Sequence, residues 1–275
     1  MDAKLQRRIQ RYGWDRAAAD YERAWKDQLE PAQTRMLALA AIRSGDHVLD
    51  IACGTGLVTF RAAEMTGPKG HVVGVDISSE MVERSAQRAA ELNVSNVSFE
   101  RSDAENLPME DDRFDVVLSA LGLMYVPDPA RAIAEMHRTL KPRGTAAAAV
   151  WGRRESCGWA GIFPIVDLRV RTEVCPLFFQ LGTGESLRRA FERAGIESAV
   201  MERINTTLRY GSAEEALSAA FAGGPVALAY SRFDVKTREE AHAEYLESIS
   251  EFRSSDGRYE IPGEFVAVSG KKKQG

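Results

Sequence analysis

Between residues 47 and 150, short apolar runs alternate with longer amphipathic stretches. The runs are 47–52 (HVLDIA), 71–76 (HVVGVD), 97–102 (VSFERS), 114–120 (FDVVLSA) and 145–150 (TAAAAV). Most are rich in Val, Ile and Leu, and all are too short for helices, so they read as buried strands. The alanine run is weak by propensity. It is supported by Pro142 and Gly144 just before it, which end a helix and turn the chain. The intervening stretches 57–65, 79–92 and 129–140 read as helices. Ser78 or Ser79 caps the second, and Asp128 with Pro129 at the first helical position opens the third. Strand and helix in this rhythm predict a parallel sheet with right-handed crossovers.

The flanks follow other patterns. Residues 1–43 are helical almost throughout. Residues 151–181 carry Trp151, Trp159, Phe163, Phe178 and Phe179 but no strand rhythm. A helix over 184–195 ends in glycine, 198–208 and 258–268 alternate like strands, and 212–252 gives more helix. With no repeat and no low-complexity linker, the pattern predicts one domain over 1–275. It comprises an N-terminal helical lid (1–43), an α/β core (44–150), and cap insertions at 151–181 and 212–252.

Composition narrows the choice of function. At 275 residues, 44% hydrophobic and 28% charged, the chain is ordinary globular material. The net charge of −4 disfavours a broad nucleic-acid footprint, so no nucleic-acid partner is expected. Three cysteines, Cys53, Cys157 and Cys175, in unpaired spacing argue against a disulfide framework and fit a reducing cytoplasm. Neither CxxC nor HExxH occurs and the four histidines are scattered, so no metal site is expected. The charged opening MDAKLQRRIQRYGWDRAAADYERAW has no secretory h-region. Nothing reaches the ~20 apolar residues of a membrane span. Lys271, Lys272 and Lys273 read as a solvated tail.

The chemistry sits where the first strand meets its helix, in Asp50-Ile51-Ala52-Cys53-Gly54-Thr55-Gly56. Open parallel sheets bind ligands at the carboxyl ends of their strands. Glycines there allow tight turns and close backbone approach, and the helix start offers free N–H groups. Asp76 closes the second strand, where an acid suits two ribose hydroxyls. Asp103 follows the third, where a carboxylate can accept from an exocyclic amine. Three acids at three successive strand ends fit one nucleoside lying across the sheet edge. Each also has a plainer reading: Asp50 as a loop cap, Asp76 as a helix N-cap, Asp103 as a turn former before Pro108. Cys53 reads as a buried small residue.

VLDIACGTG, GVDISSEMVERS, DAENLPMEDDRFDVVLSALGLMYVPD and AIAEMHRTLKPRG together resemble the class I S-adenosylmethionine (SAM)-dependent methyltransferases. The nearest branch is the small-molecule group that includes the ubiquinone and menaquinone C-methyltransferases. The resemblance covers about residues 45–150. It implies a Rossmann-like, mostly parallel seven-stranded sheet in the order 3-2-1-4-5-7-6, the seventh strand antiparallel. It also implies SAM as cofactor. Carried over by position, Asp50, Ala52, Gly54 and Gly56 hold the methionine part and Asp76 holds the ribose. Ile77 and Met81 pack on adenine, Asp103 and Ala104 meet its amine, and Ser119 lines the methionine pocket. Ala52 departs from the glycine found in many members.

The expected activity is methyl transfer from SAM to a small apolar or aromatic acceptor through an O-, S-, N- or C-nucleophile. Tyr21, Tyr125 and Trp151 are the candidates for its pocket, and no general base stands out. Tyr12, Trp14, Tyr21 and Trp25 on the N-terminal helix read either as core packing or as a lid that excludes water. Of the histidines, His47, His71 and His137 read as packing or surface groups, and His242 has the better prospect of facing a pocket. Two other functions compete. One is a SAM-binding regulatory or assembly protein without catalysis. The other is an NAD-dependent dehydrogenase, whose third fingerprint glycine is replaced here by Thr59. A homodimer is compatible with the sequence, which leaves the oligomeric state open.

Overall fold

A computed structural model describes residues 3–170 and 177–274. Cys175 and part of the expected 151–181 cap lie outside the described residues. The chain opens with one long helix, α1 (Ala3–Ala40). The core follows as β1 (His47–Ile51), α2 (Leu57–Thr66), β2 (His71–Asp76), α3 (Ser79–Glu91), β3 (Val97–Arg101), β4 (Phe114–Ala120), α4 (Pro129–Thr139) and β5 (Leu140–Trp151). The remainder contains α5 (Ile162–Asp167), α6 (Ser186–Arg193), β6 (Ile196–Tyr210), α7 (Ala213–Leu217), α8 (Ala227–Tyr230), α9 (Val235–Ser248) and β7 (Tyr259–Lys272).

The seven strands form one sheet in the order β3-β2-β1-β4-β5-β7-β6, as expected. β1 through β5 are mutually parallel, and β7 runs antiparallel between β5 and β6. The order reverses between β1 and β4. Crossovers leave in opposite directions from that point, so the backbone parts above it and leaves a crevice at the carboxyl ends.

The alanine run becomes a central strand because of where it lies. Ala146–Ala149 are wholly buried, paired to β4 on one side and β7 on the other. Burial and two full ladders outweigh the poor strand propensity of alanine. Small side chains here also let α1 and α4 approach β5 closely.

Three boundaries differ from the sequence pattern. Residues 140–144 belong to β5 rather than to a helix end and turn. The pairing jumps from Phe114↔Leu140 to Val116↔Thr145, so a bulge accommodates Pro142 and Gly144. β6 and β7 are longer than 198–208 and 258–268 because each satisfies the other's backbone groups over nearly their whole length. The lysine tail is not free, since Lys271 and Lys272 are strand residues. The Lys272 ammonium donates to Asp112 Oδ1 at 2.7 Å and to the His137 carbonyl at 2.9 Å.

α1 has two environments. Its C-terminal part buries Ala32, Met36, Leu37 and Ala40 in the core and ties to β6 through Arg35 and Glu202. Its N-terminal part passes over the strand ends as far as the loop after β3, where Arg7 meets Asp103.

A buried ion pair fixes the opposite rim. Glu264 of β7 is 5% exposed and accepts from Arg203 Nη1 of β6 at 2.7 Å and from the Arg153 N–H at 3.0 Å. The other Arg203 nitrogen donates to the carbonyls of Gly182 (3.1 Å) and Gly184. One carboxylate thus holds two strands and the loop beyond Trp151 together. Removing one partner of such a pair leaves the other charge unpaired. We therefore expect Arg203→Met, which strands the buried Glu264 carboxylate, to cost about 3 kcal/mol in urea unfolding, and Glu264→Ala to cost less, because the Arg203 guanidinium it leaves behind reaches solvent.

Candidate functional site

A cavity, open to solvent on one side and enclosing about 1010 Å³ when the solvent space at its mouth is included, lies at the carboxyl ends of the parallel strands under the N-terminal part of α1. Its floor comes from the β1, β2 and β3 ends: Ala52 and Gly54, then Asp76 and Ile77, then Asp103 and Ala104. Met81 of α3 closes one side. A second lobe is formed by Tyr125 after β4, Trp151 at the end of β5, Trp159 and Phe178 from the segment after β5, and Gly224 and Pro225 from the segment after β6. Arg7, Gln10, Trp14, Tyr21, Trp25 and Leu29 of α1 form the roof.

Asp76 ties the first two strand ends together. Its Oδ2 accepts the Gly54 N–H at 2.9 Å and its Oδ1 accepts the Ser78 N–H at 2.9 Å. The N-cap of α3 is instead Ser78, whose hydroxyl accepts from Met81 N. Burial pushes the Asp76 carboxyl up to about 6, against the lowering effect of those N–H donors.

Asp50 lies beneath the cavity rather than on its wall. It is 1% exposed and accepts from the Thr59 hydroxyl at 2.6 Å. Burial, opposed by that bond, pushes it up to about 7. Gly56 also stands off the wall. It turns the chain into α2 at φ 84°, where a Cβ would stand 2.7 Å from Phe60. Ser119 is buried behind the wall, its hydroxyl without a hydrogen-bond partner. None of these three is among the residues that line the cavity, and Asp50 faces Thr59 of α2.

The loops after β1 and β4 both contain a non-glycine residue in the left-handed region, Ala52 at φ 58° and Leu121 at φ 62°. Such strain persists where surrounding structure over-determines it, and it clusters at functional sites. The Ala52 methyl fits because Gly122 opposite has none: a Cβ on Gly122 would lie 2.3 Å from it. The alanine that departs from the usual glycine is therefore matched by a glycine on the neighbouring loop.

Asp103 is not free. Its Oδ2 pairs with Arg7 at 3.0 Å and its Oδ1 accepts the Glu105 N–H at 3.0 Å. Glu105, 1% exposed, also pairs with Arg7 and accepts the Asp128 N–H at 2.7 Å. Arg7, Gln10, Glu105 and Gly122 had no distinguishing signal in the sequence. Arg7 and Gln10 sit among many polar residues of a helix, and Glu105 among many acids.

The aromatic lobe joins residues far apart in sequence. Tyr125 meets Trp14 edge-on at 5.0 Å and Phe178 at 5.3 Å. Trp151 meets Trp159 at 4.8 Å and Phe265 at 4.1 Å. Tyr21, Tyr125 and Trp151, the three candidates for this pocket, all line the cavity. Tyr21 stands between the halves, its ring 3.7 Å from where a Cβ on Gly54 would be. Burial raises its hydroxyl pKa far above the ordinary tyrosine value, with Asp76 adding to the rise, so it remains protonated. Tyr12 is 47% exposed and turned outward. His242 does not face the cavity; it stacks on Tyr230 in the cap, 3.0 Å from that hydroxyl. Among the described residues, no group of three or more His, Cys, Asp or Glu is placed to hold a metal, and no helix is long and apolar enough to cross a membrane.

Residues 42–152 match the family model described as a methyltransferase domain. Demethylmenaquinone methyltransferase of Listeria monocytogenes serotype 4a is 35% identical over 127 residues, 46% of this chain and 54% of the relative. The corresponding enzyme of Staphylococcus epidermidis is 43% identical over 103 residues, 38% of this chain and 42% of the relative. The chain thus spans about half the length of the curated relatives it matches. The YcgJ protein from Bacillus subtilis shares the fold with a TM-score of 0.62 at 21% identity, covering 89% of this chain and 99% of that one. A phosphoethanolamine N-methyltransferase of Haemonchus contortus does so with a TM-score of 0.62 at 16% identity, covering 94% and 58%. The family resemblance read from the motifs is borne out over the core.

Two outcomes test the site geometry. Gly122→Ala should lose about 1–3 kcal/mol to overpacking, and Ala52→Gly in the same chain should recover most of it in chemical unfolding. The second outcome follows from the raised carboxyls. Unfolded aspartate ionises near 4, the folded Asp50 and Asp76 at about 7 and about 6. Between those limits the unfolded chain gives up its protons first, so stability falls as pH rises through that window. Asp50→Asn should raise the thermal midpoint at pH 8 by roughly 3–6 °C, and the gain should shrink towards pH 4.

Proposed function

We propose that this chain transfers a methyl group from SAM to a small apolar or aromatic acceptor. The observation that carries the reading is a single cavity with a polar half, formed by Gly54, Asp76 and Asp103 at three successive strand ends, that opens into an aromatic half under α1. The residues present fit the cofactor. Gly54 leaves a cradle beneath Tyr21 that a side chain would fill. Asp76 keeps a carboxylate on the cavity wall with acceptor capacity beyond the two N–H groups it already holds. Ile77 and Met81 offer apolar faces beside it.

In this reading Asp76 takes the ribose hydroxyls, Ile77 and Met81 flank the adenine, and Asp103 and Ala104 meet its amine. Ala52 and Gly54 approach the methionine part, with Asp50, Gly56 and Ser119 shaping the loop from behind. SAM, when bound, supplies a methyl on a positively charged sulfur, open to displacement by an O, N, S or C nucleophile. The chain's own contribution is to hold the acceptor against Trp151, Tyr125 and Tyr21 and to exclude water beneath α1. Proximity of that kind is worth several kcal/mol. The N-terminal helix acts as lid, and the 151–181 and 212–252 segments act as cap through Trp159, Phe178, Gly224 and Pro225.

The matched relatives are named for demethylmenaquinone, a quinone, and the aromatic lobe has the character to take a planar ring. The family match ends at residue 152, before most of that lobe is built. The acceptor class is therefore argued from the lobe itself. Thr59, where a dehydrogenase fingerprint would have its third glycine, is spent on Asp50.

Calorimetry with SAM should show binding, and Asp76→Asn should weaken it about 30–100-fold, as expected for loss of charged hydrogen bonds. Unchanged affinity would overturn the assignment. Methyl transfer from labelled SAM into a panel of phenols, quinols and thiols separates catalysis from a binding-only role, which would bind without transfer.

A further inference from the structure

The N-terminal part of α1 is held to the rest of the molecule differently from its C-terminal part. Three polar ties face α3 and the loop after β3. Arg7 pairs with Asp103 at 3.0 Å and with Glu105. Asp15 accepts from the Ser78 hydroxyl at 2.7 Å and the Glu80 N–H at 3.3 Å. Glu22 pairs with Arg88 at 2.6 Å. The steps between these positions are about two helical turns each, so all three lie on one stripe. Away from that stripe Gly13 lies against the Pro225 carbonyl and Gly223 against Ala24, Arg23 donates to the Ser218 hydroxyl at 3.0 Å, and Trp14 and Trp25 meet Tyr125, Trp151 and Trp159 edge-on.

Beyond residue 28 the character changes. Gln28 exchanges two hydrogen bonds with the Arg209 backbone, at 2.7 and 3.0 Å. Leu29, Ala32, Met36, Leu37 and Ala40 are buried. Between the two parts sits Pro31, inside the helix. Proline brings no N–H, so the carbonyl four residues back loses its ordinary helical donor, and helices bend at such points.

We propose that residues 3–28 are a lid hinged at Pro31 and latched by Arg7 on Asp103 and Glu105, and that Arg7 thereby retains the ligand bound beneath it. Closure gives Glu105, buried within the loop and tied to the start of α4 by the Asp128 N–H, its cation. Opening removes that cation and lifts Trp14, Tyr21 and Trp25 off the cavity. The Arg7–Asp103 and Glu22–Arg88 pairs are part-exposed and individually weak, whereas Glu105 is buried, so its loss of Arg7 is the larger cost of opening. A ligand touching both floor and roof binds the closed form better and shifts the population towards it. The identity of that ligand as the methyl donor rests on the proposed function; the latch itself does not.

Hydrogen exchange on the full chain tests both. In the free protein, amides of 3–28 should exchange faster than those of 29–40. Arg7→Met should speed the first group about tenfold and leave the second unchanged, with Arg7→Lys intermediate. Pro31→Ala should slow the first group by joining the two parts. Exchange of 3–28 unaffected by Arg7→Met, or exchange of 3–40 as one unit in the parent, overturns the proposal. With S-adenosylhomocysteine as probe, 3–28 should be protected, and Arg7→Met should raise the dissociation rate more than the association rate. If calorimetry shows no binding of that probe, the functional reading fails, while the free-protein exchange still decides the latch. If the probe binds but leaves 3–28 unprotected, the lid's role in retention fails.

Discussion

The site depends on one carboxylate held between two strand ends. Asp76 accepts the N–H of Gly54 on one side and of Ser78 on the other. The first bond fixes the glycine loop after β1, and the second positions Ser78, which caps α3. A neutral side chain would accept at both points more weakly. Burial raises the pKa of Asp76 even with two donors supplied.

That constraint propagates sideways through backbone geometry. Within the same β1 loop Ala52 adopts the left-handed region, and its methyl lies against the β4 loop. The β4 loop answers with Gly122, beside a strained Leu121. The crevice at the point of strand-order reversal is therefore set by matched strain and matched absence of side chains on neighbouring loops. The hydrophobic effect builds the sheet; these local fits decide the shape of its edge.

The long N-terminal helix then divides the crevice into two chemistries. Its polar stripe meets Asp103, Glu105, Arg88 and the start of α3 on one side, while Trp14 meets Tyr125 and Trp25 meets Trp151 and Trp159 in the aromatic half. Tyr21 belongs to both, which places the boundary between the halves at Gly54. The Glu264–Arg203 pair plays the corresponding part at the far rim, where it anchors the loop that presents Trp151 and its neighbours.

Much of this was legible in the chain before any coordinates. Alternating apolar runs specified the parallel strands, because burial on both faces demands continuous Val, Ile and Leu. Asp76, with Gly54 on the loop before it, is local to a strand end, so motif spacing located it. Local pattern could not reveal which buried group faces a cavity and which supports it from behind. That depends on how strands and loops are arranged in space, and it separated Asp76 from Asp50, Gly56 and Ser119. Nor could it pair Arg7 with Asp103, Glu105 with the start of α4, or Ala52 with Gly122. These contacts join residues distant in sequence, and each member is an unremarkable residue type in its own segment. The sequence alone determined the sheet and the polar half of the cavity. It also named Tyr21, Tyr125 and Trp151 for the aromatic half, but the tertiary structure decided how those rings meet Trp14, Trp159 and Phe178 and where the latch forms, because these contacts exist only where α1 and the segments after β5 and β6 fold back over the strand ends.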